Sequence, residues 1–149
     1  MASHRIVIGI SGASGAAYAR RVIELLVASD VEVHLVVSPL GQRLLHDELG
    51  MEGVDLAGLA GRDDHGMTLH HYRDVGAPIA SGSFLHDGMV VVPCSNNSLS
   101  AIATGRSENL LHRAANVSLK ERRKVVLVHR ETPLSLIEIR NMEQVTAAG

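Results

Sequence analysis

An apolar run, Arg5–Ile10, leads into a loop of small residues, Ser11-Gly-Ala-Ser-Gly15, and a helical pattern starts at once behind it. Small residues let the backbone turn tightly and let a phosphate approach the main chain. The helix behind them aims free N–H groups and a positive dipole end at the same spot. A phosphorylated ligand is therefore the first chemistry to consider, with the Ser14 hydroxyl as a further donor. Gly9, Gly12 and Gly15 are spaced evenly by three, so the loop is neither a GxGxxG fingerprint nor a P-loop. A plain strand-to-helix turn is the competing reading.

Three further apolar runs end in small polar or charged groups. Glu32–Ser38 is followed by Pro39, Met89–Val92 by Pro93 and Cys94-Ser-Asn-Asn-Ser98, and Lys124–His129 by Arg130-Glu-Thr132. Between the strands lie helical patterns at Ala16–Ala28, with Val22, Ile23, Leu25 and Leu26 inward, and at Leu40–Leu49, where Pro39 suits a first turn. Ser98–Thr104 and Glu108–Arg122 also read as helices, and Thr132-Pro133 opens a last one through about Ala147. The polar, Gly-rich stretch from Asp55 to Ala77 reads as irregular, with a short helix near Leu56–Ala60. Strands alternating with helices predict a Rossmann-like (flavodoxin-like) α/β fold: a doubly wound parallel sheet with helices on both faces, in three layers. No repeat or linker divides the chain, so residues 1–149 are expected to form a single domain. In such sheets ligands bind at the carboxyl ends of the strands, where the four polar strand ends gather.

Composition narrows the partners. Hydrophobic residues make up 46% and aromatic residues only 2%, so the core must be built from Val, Ile, Leu and Ala. A net charge of −2 and few aromatic rings argue against nucleic acid. No apolar run approaches the ~20 residues that span a bilayer. Cys94 stands alone, so no disulfide is expected, and with no signal peptide pattern the expected location is cytoplasmic.

Five segments, in order, resemble the UbiX-type flavin prenyltransferases. They are Gly-Ile-Ser-Gly-Ala-Ser-Gly-Ala at 9–16, Ala-Ser-Gly-Ser at 80–83 and Asp-Gly-Met-Val-Val-Val-Pro-Cys-Ser at 87–95. Asn-Leu-Leu-His-Arg-Ala-Ala-Asn-Val-Ser-Leu-Lys-Glu-Arg-Arg at 109–123 and Arg-Glu-Thr-Pro-Leu-Ser at 130–135 complete the set. The resemblance runs from Arg5 to Gly149. It implies FMN, in reduced form as co-substrate, and dimethylallyl phosphate as prenyl donor, with new bonds to N5 and C6 of the flavin. It also implies a partner UbiD-type decarboxylase that receives the product, and a homo-oligomer, a dodecamer by family precedent.

By that resemblance Gly12, Ala13, Ser14 and Ser38 contact the flavin. Ser95, Asn96, Asn97 and Ser98 line its phosphate and ribityl side, and Arg130 is the strand-end arginine. Ser14, Glu48 and Glu131 are the expected catalytic residues. Ser81, Arg113 and Lys120 are expected to bind the prenyl donor, several of these residues serving from a neighbouring subunit. Arg as a planar fork and Lys as a point charge suit a departing phosphate, and stabilising that charge is usually the largest catalytic contribution. A carboxylate such as Glu131, or the phosphate itself, is suited to take the proton lost from N5.

The same residues have plainer readings. Lys120 to Lys124 could be a solvated helix end, and Arg113 a surface ion pair with Glu108 or Glu121. Cys94 after an apolar strand reads as a buried, inert thiol. His70 and His71 point in different directions and lack a third ligand at a fitting spacing, so no metal is expected.

The chain departs from the family pattern at His129, where relatives often carry Pro, and in its 95–98 loop, which lacks a common Lys. Relatives also continue past the segment that ends at Gly149 and supply a Tyr and a basic residue for the prenyl phosphate. A chain without them is expected to be either a shortened piece or a flavin binder lacking part of the donor site. Two other readings therefore stand beside the transferase: a non-catalytic FMN-binding subunit, and an FMN-dependent cysteine decarboxylase. The latter would place a catalytic His on the helix after the second strand, where His46 falls among neighbours that do not match.

Overall fold

The computed structural model describes residues 2–149. The chain runs β1 (Arg5–Ile10), α1 (Ala16–Ala28), β2 (Glu32–Val37), α2 (Pro39–Leu49), α3 (Leu56–Ala60) and β3 (Thr68–His70). A 3-10 turn at Pro78–Ala80 follows, then β4 (Gly88–Cys94), α4 (Asn96–Thr104), α5 (Leu110–Lys120), β5 (Lys124–His129) and α6 (Leu136–Ala148). The five strands form one sheet in the order β3-β2-β1-β4-β5, and every pairing is parallel. This is the flavodoxin-like doubly wound α/β arrangement that the alternating pattern predicts.

Alternation along the strands splits the core in two. Ile8, Ile10, Val33, Leu35 and Val37 face α1, α2 and α3. Val7, Val36, Met89 and Val91 face Leu99 and Ile102 of α4 and Leu110, Leu111 and Ala114 of α5. All are buried aliphatic or thioether side chains, and those larger than alanine are each worth ~1.5–3 kcal/mol on full burial. The chain moves outward from β1 through β2 to β3, then crosses back to β4 and β5. The order therefore reverses between β1 and β4, and the loops after these strands diverge to opposite faces.

Two expectations are corrected. The stretch read as irregular contains β3, a strand of three residues paired with the edge of β2. Three residues are too few to carry a periodic signal, and the strand exists because β2 offers it an open edge. The last helix starts at Leu136 rather than at Thr132, because Ser135 and Glu138 form a capping box there. Among the described residues no helix is long and apolar enough to cross a membrane.

Candidate functional site

Helices α2 and α4 start directly at the ends of β2 and β4, α5 follows α4, and a side chain at the start of each of the three caps it. Ser38 Oγ accepts a hydrogen bond from Gly41 N at 3.0 Å, Ser95 Oγ from Ser98 N at 3.2 Å, and Asn109 Oδ1 from His112 N at 3.0 Å. A helix start leaves several N–H groups without intrahelical partners, and each cap takes only one of them. The N-termini of α2, α4 and α5 meet around a cavity of about 450 Å³. Ser38, Pro39 and Leu40 line one side, Ser95, Asn97 and Ser98 another, and Asn109 and His112 a third. Tyr72 and Arg73, just after β3, close the rim. No acidic residue stands in the first turn of α2, α4 or α5, and Glu108, which lines the cavity just ahead of α5, is paired with Arg106 Nε at 3.1 Å. The resulting donors and positive dipole ends suit a phosphate.

Gly12 and Leu40 border both this cavity and a second of about 410 Å³, lined also by Ala13, Ser14, Arg43, Asp47 and Glu48. A Cβ on Gly12 would lie 2.5 Å from Leu40 Cβ, so only glycine lets the β1 loop approach α2 this closely. Ser11 ties the two central loops together. It is buried, its hydroxyl donates to Pro93 O at 3.0 Å, and the same oxygen accepts from Ser95 N at 2.9 Å.

The N-terminus of α1 differs from the other three. Glu48 Oε1 accepts from both Gly15 N and Ala16 N at 3.0 Å. The first-loop phosphate expected from sequence is therefore corrected: the chain's own carboxylate fills that position, and the helix starts left for a ligand are those of α2, α4 and α5. Partial burial works against the Glu48 charge. The two backbone N–H groups, the Ser14 hydroxyl and the Arg130 charge outweigh it and hold its carboxyl below the ordinary value.

On the β5 side Asn96 donates through Nδ2 to Glu131 Oε2 at 2.8 Å and to Glu138 Oε1 at 3.2 Å. Its Oδ1 lies 2.5 Å from His129 Nε2, so His129 holds this amide. Asn96 thus faces Glu131 and His129, while Ser95, Asn97 and Ser98 face the larger cavity. Arg130 N donates to Cys94 O at 3.3 Å. Burial pushes the Cys94 thiol up to about 12, as an inert cysteine requires.

Arg130 and Glu131, like Ser81, Arg113 and Lys120, line neither cavity. Ser81 Oγ pairs with Ser83 Oγ at 2.8 Å, Arg113 Nε donates to Ala80 O at 3.3 Å, and Lys120 Nζ contacts Glu121 Oε1 at 2.8 Å. Lys120 ends α5, roughly 15 Å along the helix from the cavity end at 1.5 Å per residue. His46 is exposed and lies against Asp47 Oδ1 at 3.2 Å. Among the described residues no cluster of His, Cys, Asp or Glu could hold a metal ion.

Tyr72, Arg73, Asn109 and His112 were missed from sequence. The Asn109 cap carried a readable signal, an Asn just before an apolar helical run. The others reach the cavity only through tertiary packing.

Comparison with known proteins places this geometry. The flavoprotein family model matches residues 1–149. The chain is 50% identical over 145 residues to the flavin prenyltransferase UbiX of Thauera aromatica, covering 97% of this chain and 72% of that protein. It is similar to the crystal structure of AnUbiX (PadA1) in complex with FMN and dimethylallyl pyrophosphate. There the TM-score is 0.90 at 44% identity, over 98% of this chain and 74% of that one. A dodecameric FMN-dependent UbiX-like decarboxylase from Escherichia coli O157:H7 superposes with a TM-score of 0.88 at 40% identity, over 97% and 76% of the two chains. With the family model spanning its whole length and half its residues identical to a UbiX protein, the chain belongs to the UbiX-type flavin prenyltransferases of the flavoprotein family.

Proposed function

We propose that this chain is a flavin prenyltransferase that joins the dimethylallyl group of dimethylallyl phosphate to N5 and C6 of reduced FMN. The observation that carries the reading is the meeting of three capped helix N-termini at one cavity, beside a second cavity holding an ionised carboxylate. The first suits the FMN phosphate, held by Ser95, Asn97 and Ser98, with Gly12, Ala13 and Ser38 against the rest of the flavin. When bound, reduced FMN supplies the nucleophilic nitrogen and carbon.

The residues at hand suit the bond changes. The allylic C–O bond breaks with its electron pair leaving on the phosphate, and a bond to flavin N5 forms as N5 loses its proton. The second bond forms as the prenyl C=C takes up a proton and C6 bonds to the resulting tertiary carbon with loss of its own proton. Glu48, ionised at neutral pH, has no proton to donate; it stabilises the positive charge that develops on the prenyl fragment. Ser14, beside Glu48, positions that carboxylate. Glu131, held by Asn96, is the candidate acceptor of the N5 proton. Arg130 lends positive charge beside Glu48. Ser81, Arg113 and Lys120, which lie away from this chain's cavities, serve the donor phosphate in the site of another copy. In this reading residues 1–149 act as one flavin-binding unit in a homo-oligomer, and the prenylated flavin passes to a UbiD-type decarboxylase. The cysteine decarboxylase reading has less support, since His46 lies outside both cavities.

The test is mass spectrometry of the flavin after anaerobic incubation with reduced FMN and dimethylallyl phosphate. FMN heavier by one five-carbon unit is the expected product. Bound but unmodified FMN would point to a non-catalytic flavin binder instead, and no FMN binding would sink the reading of the strand-end loops.

A further inference from the structure

His112 has no part in the reading above, yet it lines the larger cavity from the first turn of α5 and is only 1% exposed. Its Nε2 lies 3.2 Å from Ser98 Oγ, and Ser98 is itself 2% exposed. Its Nδ1 is buried without any hydrogen-bond partner. Buried polar atoms are almost always paired, so an unpaired ring nitrogen beside a cavity asks for an explanation.

The explanation lies in where the ring keeps its proton. Burial lowers the His112 pKa despite the nearby Glu108 charge, and the Arg106 charge lowers it further, so the ring is neutral at pH 7 with a single N–H. With that proton on Nδ1, a donor is stranded in the interior. Nε2 must then accept from Ser98 and uses up the only proton the serine hydroxyl can offer. With the proton on Nε2, Ser98 Oγ accepts from the ring and its own O–H is free to turn into the cavity. The phosphate of a dianionic monoester only accepts hydrogen bonds, so it favours the second arrangement.

We propose that His112 is a positioning residue for a phosphate monoester: its Nε2–H donates to Ser98 Oγ and turns the Ser98 hydroxyl proton toward the ligand phosphate. The proposal rests on the reading that the FMN phosphate sits at the start of α4. There the Ser98 hydroxyl adds a side-chain donor to the N–H of Asn97. The Nδ1 lone pair stays unpaired as the cost of fixing the tautomer.

The test compares FMN with riboflavin, which lacks the phosphate, by flavin fluorescence titration. In H112Q the amide nitrogen reaches the position of Nε2; in H112N it reaches only that of Nδ1. H112L leaves the Ser98 hydroxyl its proton but nothing to turn it, and is expected to bind FMN about threefold more weakly, the loss of one orienting hydrogen bond, and riboflavin about as well as the unsubstituted chain. H112Q should recover most of the FMN affinity and H112N should not. Equal losses for both flavins would assign His112 a merely structural role and overturn the proposal. Recovery by H112N instead of H112Q, or no loss in H112L, would overturn it too. If H112L does not fold, S98A probes the same link. It should weaken FMN and spare riboflavin, and it should abolish the difference between H112Q and H112N. Failure of the unsubstituted chain to bind FMN would remove the underlying reading, a result distinct from any pattern among the variants.

Discussion

A single carboxylate, Glu48, does for α1 what Ser38, Ser95 and Asn109 do for their own helices, but from 33 residues further along the chain. The difference is charge. A serine or asparagine cap leaves its helix start free to attract an anion, whereas Glu48 supplies the anion itself. E48Q keeps an acceptor for Gly15 and Ala16 and loses the charge; E48A loses both. E48A should therefore unfold with about 1 kcal/mol less stability, the ordinary worth of a cap, and E48Q with a smaller loss. If Glu48 also serves the reaction, E48Q should lose far more prenyl transfer than stability. The pH sign follows from the lowered pKa. The charged cap is fully in place above the ordinary value of 4.5 and is lost as pH falls through the lower folded value. Urea denaturation across that range should show a shallower acid decline in E48Q than in the unsubstituted chain. Parallel declines, or an E48A as stable as its parent, would remove Glu48 from the α1 cap.

Helix α2 is where local preference and packing disagree most clearly. Alanine is the better helix former than glycine by about 1 kcal/mol, so Gly41 inside α2 looks improvable. The structure reverses that expectation. A Cβ at Gly41 would stand 2.3 Å from Ile10 O and 3.0 Å from Ile10 C, both rigid backbone atoms of β1. G41A should therefore destabilise the protein, by ~1–3 kcal/mol in urea denaturation, and should weaken FMN binding by pushing Ser38 away from Gly12. A G41A chain of equal or greater stability would show that α2 can slide off β1. The contrast explains what was legible in the sequence. Strands β1, β2, β4 and β5 announced themselves as apolar-rich runs, and the polar ends of β1, β2 and β4 marked the cavity edges. β3 did not, because its three residues owe their strand to the open edge of β2. The Glu48 cap was hidden for a related reason: nothing near residue 48 records that the β1 loop folds back onto it. Tyr72, Arg73 and His112 reach the cavity only because β3 pairs with β2 while α5 packs over the sheet face, where Leu110 N donates to Tyr72 O at 2.8 Å.

Across the whole molecule two features stand apart from the cavity, and one arrangement accounts for both. Arg113 and Lys120 lie outside the cavities although a departing donor phosphate calls for cations. Val126 and Val128 on the edge strand β5, with Leu134, Leu136, Ile137 and Ile139 beyond it, leave apolar surface exposed. Assembly of several copies would cover such surface and carry Arg113 of one copy toward Glu48 of another. Symmetric closed assemblies make this sharing reciprocal, so every site is completed in the same way. The arrangement predicts complementation. E48Q and R113A should each be nearly inactive alone. When the two are expressed together and mix at random, a site has an intact Glu48 with probability one half and an intact Arg113 from its neighbour with the same probability. About one quarter of the parental rate should then return, as shared sites in a symmetric oligomer require. If both residues served within one chain, every site would carry one lesion and no activity would return. A mixture that stays inactive although sedimentation shows mixed oligomers would confine Arg113 to its own chain, and the donor phosphate would then need another cation, with Arg43, which lines the smaller cavity, a candidate.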